Sequence, residues 1–281
     1  MNVPKLRFKD ENKADYPEWE IGELKQFCQV NPKAENLPDE FIYIDLESVE
    51  SGQLLKESLI LLEDAPSRAQ RLLQVNDVLF QMVRPYQQNN LFFDKVGQYV
   101  ASTGYAQIRT TENPKFLYYC LHVQEFVSEV MNRCTGTSYP AINSADLETI
   151  EIAKPFIEEQ QKIANFLSAV DDKITALTAQ KTALTQYKQG MMQRIFAQTL
   201  RFKDDNGADY PEWDSMRLEE LGEFKSGVGF SESEQGGQEG IPFFKVSDMN
   251  LSENTFHMNI ANHYVTEEQI QSSPKVAVNS L

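Results

Sequence analysis

The stretch "IEEQQKIANFLSAVDDKITALTAQKTALTQYKQGMMQRIFAQ" occupies residues 157–198. Within it Ile163, Leu167, Val170, Ile174, Leu177, Lys181, Leu184, Lys188, Met191 and Ile195 follow one another at alternating steps of four and three. That spacing is a heptad seam, polar only at the two lysines. Glu158 and Glu159 stand in the first turn and Arg194 near the last, as the helix dipole prefers. The spacing predicts one helix of about 40 residues, a rod of ~60 Å. Helices inside globular domains rarely run so long. A narrow apolar stripe on a rod needs another helix to cover it. Ile163, Leu167, Val170, Ile174, Leu177, Leu184, Met191 and Ile195 are therefore the expected helix–helix contacts.

On either side of this segment the chain writes nearly the same line. Residues 6–20 read "LRFKDENKADYPEWE" and residues 200–214 read "LRFKDDNGADYPEWD". The apolar pattern continues after identity fades, with Leu24, Phe27 and Val30 matched by Leu218, Leu221 and Phe224. A repeat of this length is far too long for a solenoid and implies tandem domains. Residues 1–156 are expected to form one globular domain, 157–198 a coiled-coil helix, and 199–281 the start of a second domain that stops short. The fold class is mixed α/β (α+β), a globular domain followed by the long helix and a partial second domain. In the first domain "FIYIDL" alternates as a strand, and "VNDVLFQMV" reads as a buried strand after a turn. "GQYVASTGYAQIR" holds two β-favouring segments. "PKFLYYCLHVQEFVSEVMNR" steps as a helix after Pro114, and "SYPAINSADLETIEIAKP" is expected to be extended up to Pro155.

The 281 residues carry a net charge of −16, and the charge is uneven. Residues 1–64 hold 7 basic and 15 acidic side chains, and residues 199–281 hold 6 and 15. Residues 65–140 hold 7 basic and 5 acidic ones, so a face that meets phosphate is expected there. No apolar run approaches a membrane span, and "MNVPKLRFKD" lacks a signal-peptide core. Cys28, Cys120 and Cys134 have no metal spacing and read as reduced core residues, which suits a cytoplasmic protein. His122, His257 and His263 form no metal set, so no metal ligands are expected. Walker, Gly-x-Ser-x-Gly, adenine-methylating and nuclease carboxylate signatures are missing. "FKSGVGF" (224–230) reads as a loop rather than a cofactor site. The chain is expected to bind rather than catalyse, with no catalytic residues and no cofactor of its own.

Two stretches suit a binding surface. "RPYQQNN" (84–90) puts Arg84, Tyr86, Gln87, Gln88, Asn89 and Asn90 after a strand. Amide side chains can bond adenine's major-groove edge, and arginine guanine's. "RCTGTSYPAI" (133–142) adds Arg133, Thr135, Thr137 and Ser138, groups that suit phosphate or base-edge contacts. Arg68 and Arg109 complete the candidate DNA-binding set, and Arg71, Lys95 and Lys115 add local positive charge. The bland alternative for each stretch is an ordinary polar turn.

The order "TGTSYPAINSADLETIEIAKP", "PFIEEQQKIANFLSAVDDKI", "YKQGMMQRIF" and "LRFKD…YPEW" resembles the specificity (S) subunit of type I restriction-modification systems. The resemblance is strongest at residues 136–214. It implies two target recognition domains, each followed by a long helix, with the helices packed antiparallel as a spacer. It implies that each domain reads half of a split double-stranded DNA sequence. Partner modification subunits would use S-adenosylmethionine to methylate adenine, and restriction subunits ATP and magnesium to translocate and cut. A full S subunit would continue for well over a hundred residues, so the chain reads as one truncated within its second recognition domain. The expectation that follows is a homodimer through residues 158–198, reading a symmetric target. The competing reading is a coiled-coil adaptor whose globular domain binds a protein. A nuclease or methyltransferase is a third, disfavoured by the missing signatures.

Overall fold

Successive side chains on a strand point to opposite faces, so a run that is buried throughout must be covered on both. Residues 78–81 and 99–102 are such runs, and their two sheets are stacked to satisfy them. The structure is a computed structural model that describes residues 4, 6–33, 36–223, 229–232, 236, 238–255 and 257–270. It divides into two units, residues 1–196 and 197–281.

The first unit begins with β1 (Glu20–Glu23), α1 (Leu24–Phe27), β2 (Gln29–Val30), β3 (Glu40–Ile44), β4 (Val49–Glu50), β5 (Gln53–Leu54) and β6 (Ser58–Leu61). It continues through β7 (Ala69–Leu72), β8 (Val78–Gln81), β9 (Leu91–Phe92), β10 (Tyr99–Ser102) and β11 (Tyr105–Arg109). Then come α2 (Pro114–Cys120), α3 (Gln124–Arg133), α4 (Ser144–Glu148), β12 (Glu151–Lys154) and α5 (Ile157–Phe196). One sheet has the order β6-β3-β10-β7 and the other β2-β11-β8-β9. The β3–β10 pair is parallel, and the remaining pairs of both sheets are antiparallel.

The chain passes from one sheet to the other at Thr103–Gly104, so β10 and β11 are not a hairpin. Ile44, Leu79, Leu91, Tyr99, Ala101 and Tyr105, drawn from both sheets, pack into one core. Val78, Phe80, Ala106 and Ile108, on the opposite face of the second sheet, meet α2, α3, α4 and the start of α5. The layers are therefore sheet, sheet and helices, a mixed α/β domain with a long helix leaving it.

Two local expectations are corrected. The segment 114–133 is two helices, not one, broken around Leu121–Val123. Asn113 caps the first by accepting from Phe116 N, with Pro114 in the first turn. Residues 138–155 are not extended throughout: Asn143 accepts from Asp146 N and starts α4.

Helix α5 is 40 residues long. Its first turns belong to the domain: Glu159, Gln160 and Ala164 are buried, and Ile163 packs on the core. Ile163 is thus not free for a helix partner. From residue 169 to 189 every position is exposed.

The opening motif closes the unit. Arg7 donates from Nε and Nη2 to the two oxygens of Glu159, at 3.2 and 2.7 Å. Lys162 Nζ donates to Lys9 O, and Phe8 meets Phe166 edge-on. Strand β1 pairs antiparallel with β12.

In the second unit the described elements include α6 (Leu218–Leu221) and an antiparallel pair, β13 (Ile241–Phe243) with β14 (His263–Val265). The repeated motif folds alike in both units. Asp10 accepts from the backbone N–H of Asn12 and Ala14, and Asp204 from those of Asn206 and Ala208. The matching bridges are Lys9↔Asp15 and Lys203↔Asp209. Most of "FKSGVGF" and all of "KVAVNSL" lie outside the described residues.

Candidate nucleic-acid interface

Strands β8 and β9 are joined by residues 82–90, a loop with a fixed shape. Arg84 (φ 54) and Gln88 (φ 52) are both left-handed, and between them Pro85–Gln87 make one 3-10 turn. Pro85 is buried and anchors the turn. Tyr86 projects outward, 51% exposed.

The second stretch lies directly beside it. Thr135 and Ala141 exchange two backbone hydrogen bonds of 2.9 Å, closing residues 136–140 into a small loop. Ile142 N donates to Met82 O, and Arg84 N donates to Pro140 O at 2.7 Å. Gly136, at φ 90, takes a backbone conformation that a side chain would strain. Tyr139 is 68% exposed, and the Arg84 guanidinium lies over its ring at 5.5 Å from the centroid.

The two sequence stretches thus form one surface. It presents Arg84, Tyr86, Gln87 and Gln88 from one loop and Thr135, Thr137, Ser138 and Tyr139 from the other. Arg68 is exposed on the segment leading into β7, and its carbonyl accepts from Thr103 N. Gly104, next along, accepts from Met82 N.

Several candidates are committed to holding the fold instead. Asn90 is 1% exposed; its Oδ1 accepts from Gln81 N, and its Nδ2 donates to His122 Nε2. The other ring nitrogen of His122, Nδ1, donates to Tyr118 O at 2.7 Å. Asn89 Oδ1 accepts from Ser51 N. Arg109 is bound to Asp77, and Arg133 ties α3 to α4 through Glu129, Asp146 O and Thr149. Lys95 is paired with Glu57 at 2.6 Å. Arg71 has a buried Nε with no partner, and burial lowers its pKa. Arginine and amide side chains suit nucleic acid by their chemistry, and buried carboxylates and strand ends compete for the same donors.

Sequence reasoning missed Tyr139 and Gln81. Tyr139 stood inside a quoted stretch, and an aromatic beside three hydroxyls was the available signal. Gln81 gave none, because it ends a strand whose other residues are apolar. It is 1% exposed and holds the loop from beneath. Its Nε2 donates to Val83 O and to Gln87 Oε1, and its Oε1 accepts from Asn89 N.

Known proteins resemble this chain. It is 27% identical over 170 residues to the type I restriction enzyme MjaVIII specificity subunit of Methanocaldococcus jannaschii, covering 59% of this chain and 39% of that one. It is 25% identical over 190 residues to the type I restriction enzyme HindI specificity subunit of Haemophilus influenzae, covering 65% and 41%. The chain therefore spans about two fifths of the length of these curated relatives. A solved chain from work on complex assembly and conformational transition of the type I R-M system superposes with a TM-score of 0.56 at 26% identity, covering 82% of this chain and 62% of that one. Residues 7–186 match the family of the type I restriction modification DNA specificity domain, and the chain belongs to that family.

Proposed function

We propose that this chain reads a double-stranded DNA sequence for a type I restriction-modification assembly. The carrying observation is the joined surface of residues 84–88 and 135–141. It sets a guanidinium, two exposed tyrosines, amides and hydroxyls on a loop held by buried hydrogen bonds. Donors on a loop held in one shape suit base edges in the major groove, with Arg68 and the hydroxyls toward phosphate. The chain itself carries out no chemistry in this reading. Modification subunits supply adenine methylation with S-adenosylmethionine, and restriction subunits supply ATP- and magnesium-dependent translocation and cleavage. Such a reader works where the DNA is, in the cytoplasm.

A second copy of the chain completes the reader. Val170, Ile174, Leu177 and Leu184 are 41–59% exposed along α5. The same helix of another copy, run antiparallel about a two-fold axis, covers them and sets two identical readers apart. The target is then an inverted repeat with an unspecified spacer. The test is methylome sequencing of cells expressing this chain with type I modification subunits, beside salt-dependent binding of the purified complex. A single methylated motif supports the reading. Salt-insensitive binding without motif preference favours a protein-binding adaptor.

A further inference from the structure

We infer that Gln87 is a specificity-determining residue reading an all-acceptor base edge, the O6 and N7 of guanine, and that Gln81 is the positioning residue that makes it so. The inference rests on the DNA-reading function proposed above.

The Gln81 amide has no freedom to turn over. Its Oε1 accepts from Asn89 N at 3.1 Å, and its Nε2 donates to Val83 O at 2.8 Å. Reversed, it would set oxygen against the Val83 carbonyl and N–H against the Asn89 N–H. Both are partly buried backbone groups, so the reversed form leaves two unmade bonds. The second Nε2 hydrogen points at Gln87, 3.0 Å away, so the Gln87 atom there is the carbonyl oxygen.

That sets the Gln87 amide in turn. Its oxygen is held by a residue only 1% exposed, while Gln87 as a whole is exposed, so the NH2 group is the end of the amide that Gln81 leaves free. A free glutamine offers a donor and an acceptor side by side, the pattern that matches adenine N6 and N7. In Gln87 the carbonyl is turned to Gln81 and already accepts one bond, so the NH2 donors are the groups left without a partner within the loop. Arg84, three residues earlier, is also donor-only by chemistry, and its guanidinium lies over the Tyr139 ring. In the major groove guanine presents two acceptors and no donor. The expectation that the amides of 84–90 read adenine is therefore replaced, at Gln87, by guanine.

The test uses the full chain with its modification subunits and reads the methylated motif and the relative affinity for single-base variants of the site. The wild-type half-site should contain guanine at the position that Gln87 controls. Gln87→Glu keeps the bond from Gln81 but turns the outward donors into an acceptor. It should lower the preference for guanine over cytosine at that one position about tenfold or more, since cytosine N4 donates. Gln81→Met frees the Gln87 amide, so guanine and adenine should be accepted there with nearly equal affinity, the other positions unchanged. Gln87 is exposed, so the Gln87→Glu result stands even if Gln81→Met lowers the melting temperature too far to be used. A half-site without guanine, an unchanged motif in Gln87→Glu, a uniform affinity loss (a phosphate contact) or a change at an adenine position would each overturn the inference and leave DNA reading intact. No motif at all from the wild-type complex would instead overturn the proposed function, and this inference with it.

Discussion

Arg109 grips Asp77 with both ends of its fork: Nε to Oδ1 and Nη2 to Oδ2, each 2.8 Å, on a carboxylate that is 0% exposed. Asp77 Oδ2 also accepts from Gln74 N and Gln107 Nε2, both at 2.7 Å. Taking away one partner of a buried pair leaves a charge with too little compensation. Arg109→Ala should lower unfolding stability by about 2 kcal/mol in denaturant titration, below a fully buried pair because the guanidinium itself is 30% exposed. The slope of DNA affinity against salt should change little, because two of the guanidinium's three nitrogens are already engaged by Asp77.

The two copies of the opening motif make a matched pair of experiments. Arg7 holds the buried Glu159, whereas its repeat Arg201 bonds Tyr210 O, Pro211 O and the 85%-exposed Glu212. Arg7→Ala should cost about 2 kcal/mol, below a fully buried pair because Arg7 keeps some contact with water. Arg201→Ala should cost under about 1 kcal/mol, since its carbonyl partners turn to solvent. Equal costs would contradict the difference in burial.

Arg84 and Tyr139 are expected to act together on DNA. Arg84→Ala removes a base-edge donor and should cost about 1–3 kcal/mol of specific affinity and relax specificity at one position. Tyr139→Ala leaves the charge but removes the ring beneath it. Specific affinity should fall several-fold with the slope kept. A double mutant should lose less than the two single losses combined, because each group orients the other.

Leu177→Glu with Leu184→Glu should convert a dimer to a monomer in light scattering, with the circular dichroism of the domain preserved. Each glutamate would have to be buried unpaired at the helix contact. A wild-type monomer at micromolar concentration would remove the two-fold arrangement and the inverted-repeat target with it.

Burial pushes the Cys28 and Cys120 thiols up to about 12 from an ordinary 9.0, and burial raises Tyr105 above its ordinary 10.0 as well. All three stay neutral in the folded chain where the unfolded chain ionises. Their contribution is complete below pH 9 and is lost as pH rises through the folded values. Stability should therefore be level from pH 7 to 8 and decline above about 9. At pH 8 an aromatic disulfide reagent should titrate Cys28 and Cys120 only after denaturant is added.

The long helix was legible because its signal is periodic: Val170, Ile174, Leu177 and Leu184 repeat on one stripe whatever surrounds them. The family was legible because four motifs occur in order. The candidate surface was half legible. Arg84 and Thr135 were found by side-chain chemistry, but nothing in their spacing says that Arg84 N meets Pro140 O. Asn90 and Arg133 were misread for the same reason. A polar side chain looks alike in sequence whether it faces water or a buried partner, and long-range packing decides between the two.

Strand β1 finds its partner only in β12, and Arg7 finds Glu159 only in α5. On a ribosome the first twenty residues must therefore wait while about 130 more are added. At roughly 5–20 residues per second that delay is about 7–30 s. During this time the face of the second sheet that α2 to α5 will cover is open, and the nascent chain depends on chaperones or speed to avoid trapping. When residues 151–166 emerge, one event joins the chain's start to its strand partner and to the root of the helix. The rod is thus anchored at its base before most of it has left the ribosome.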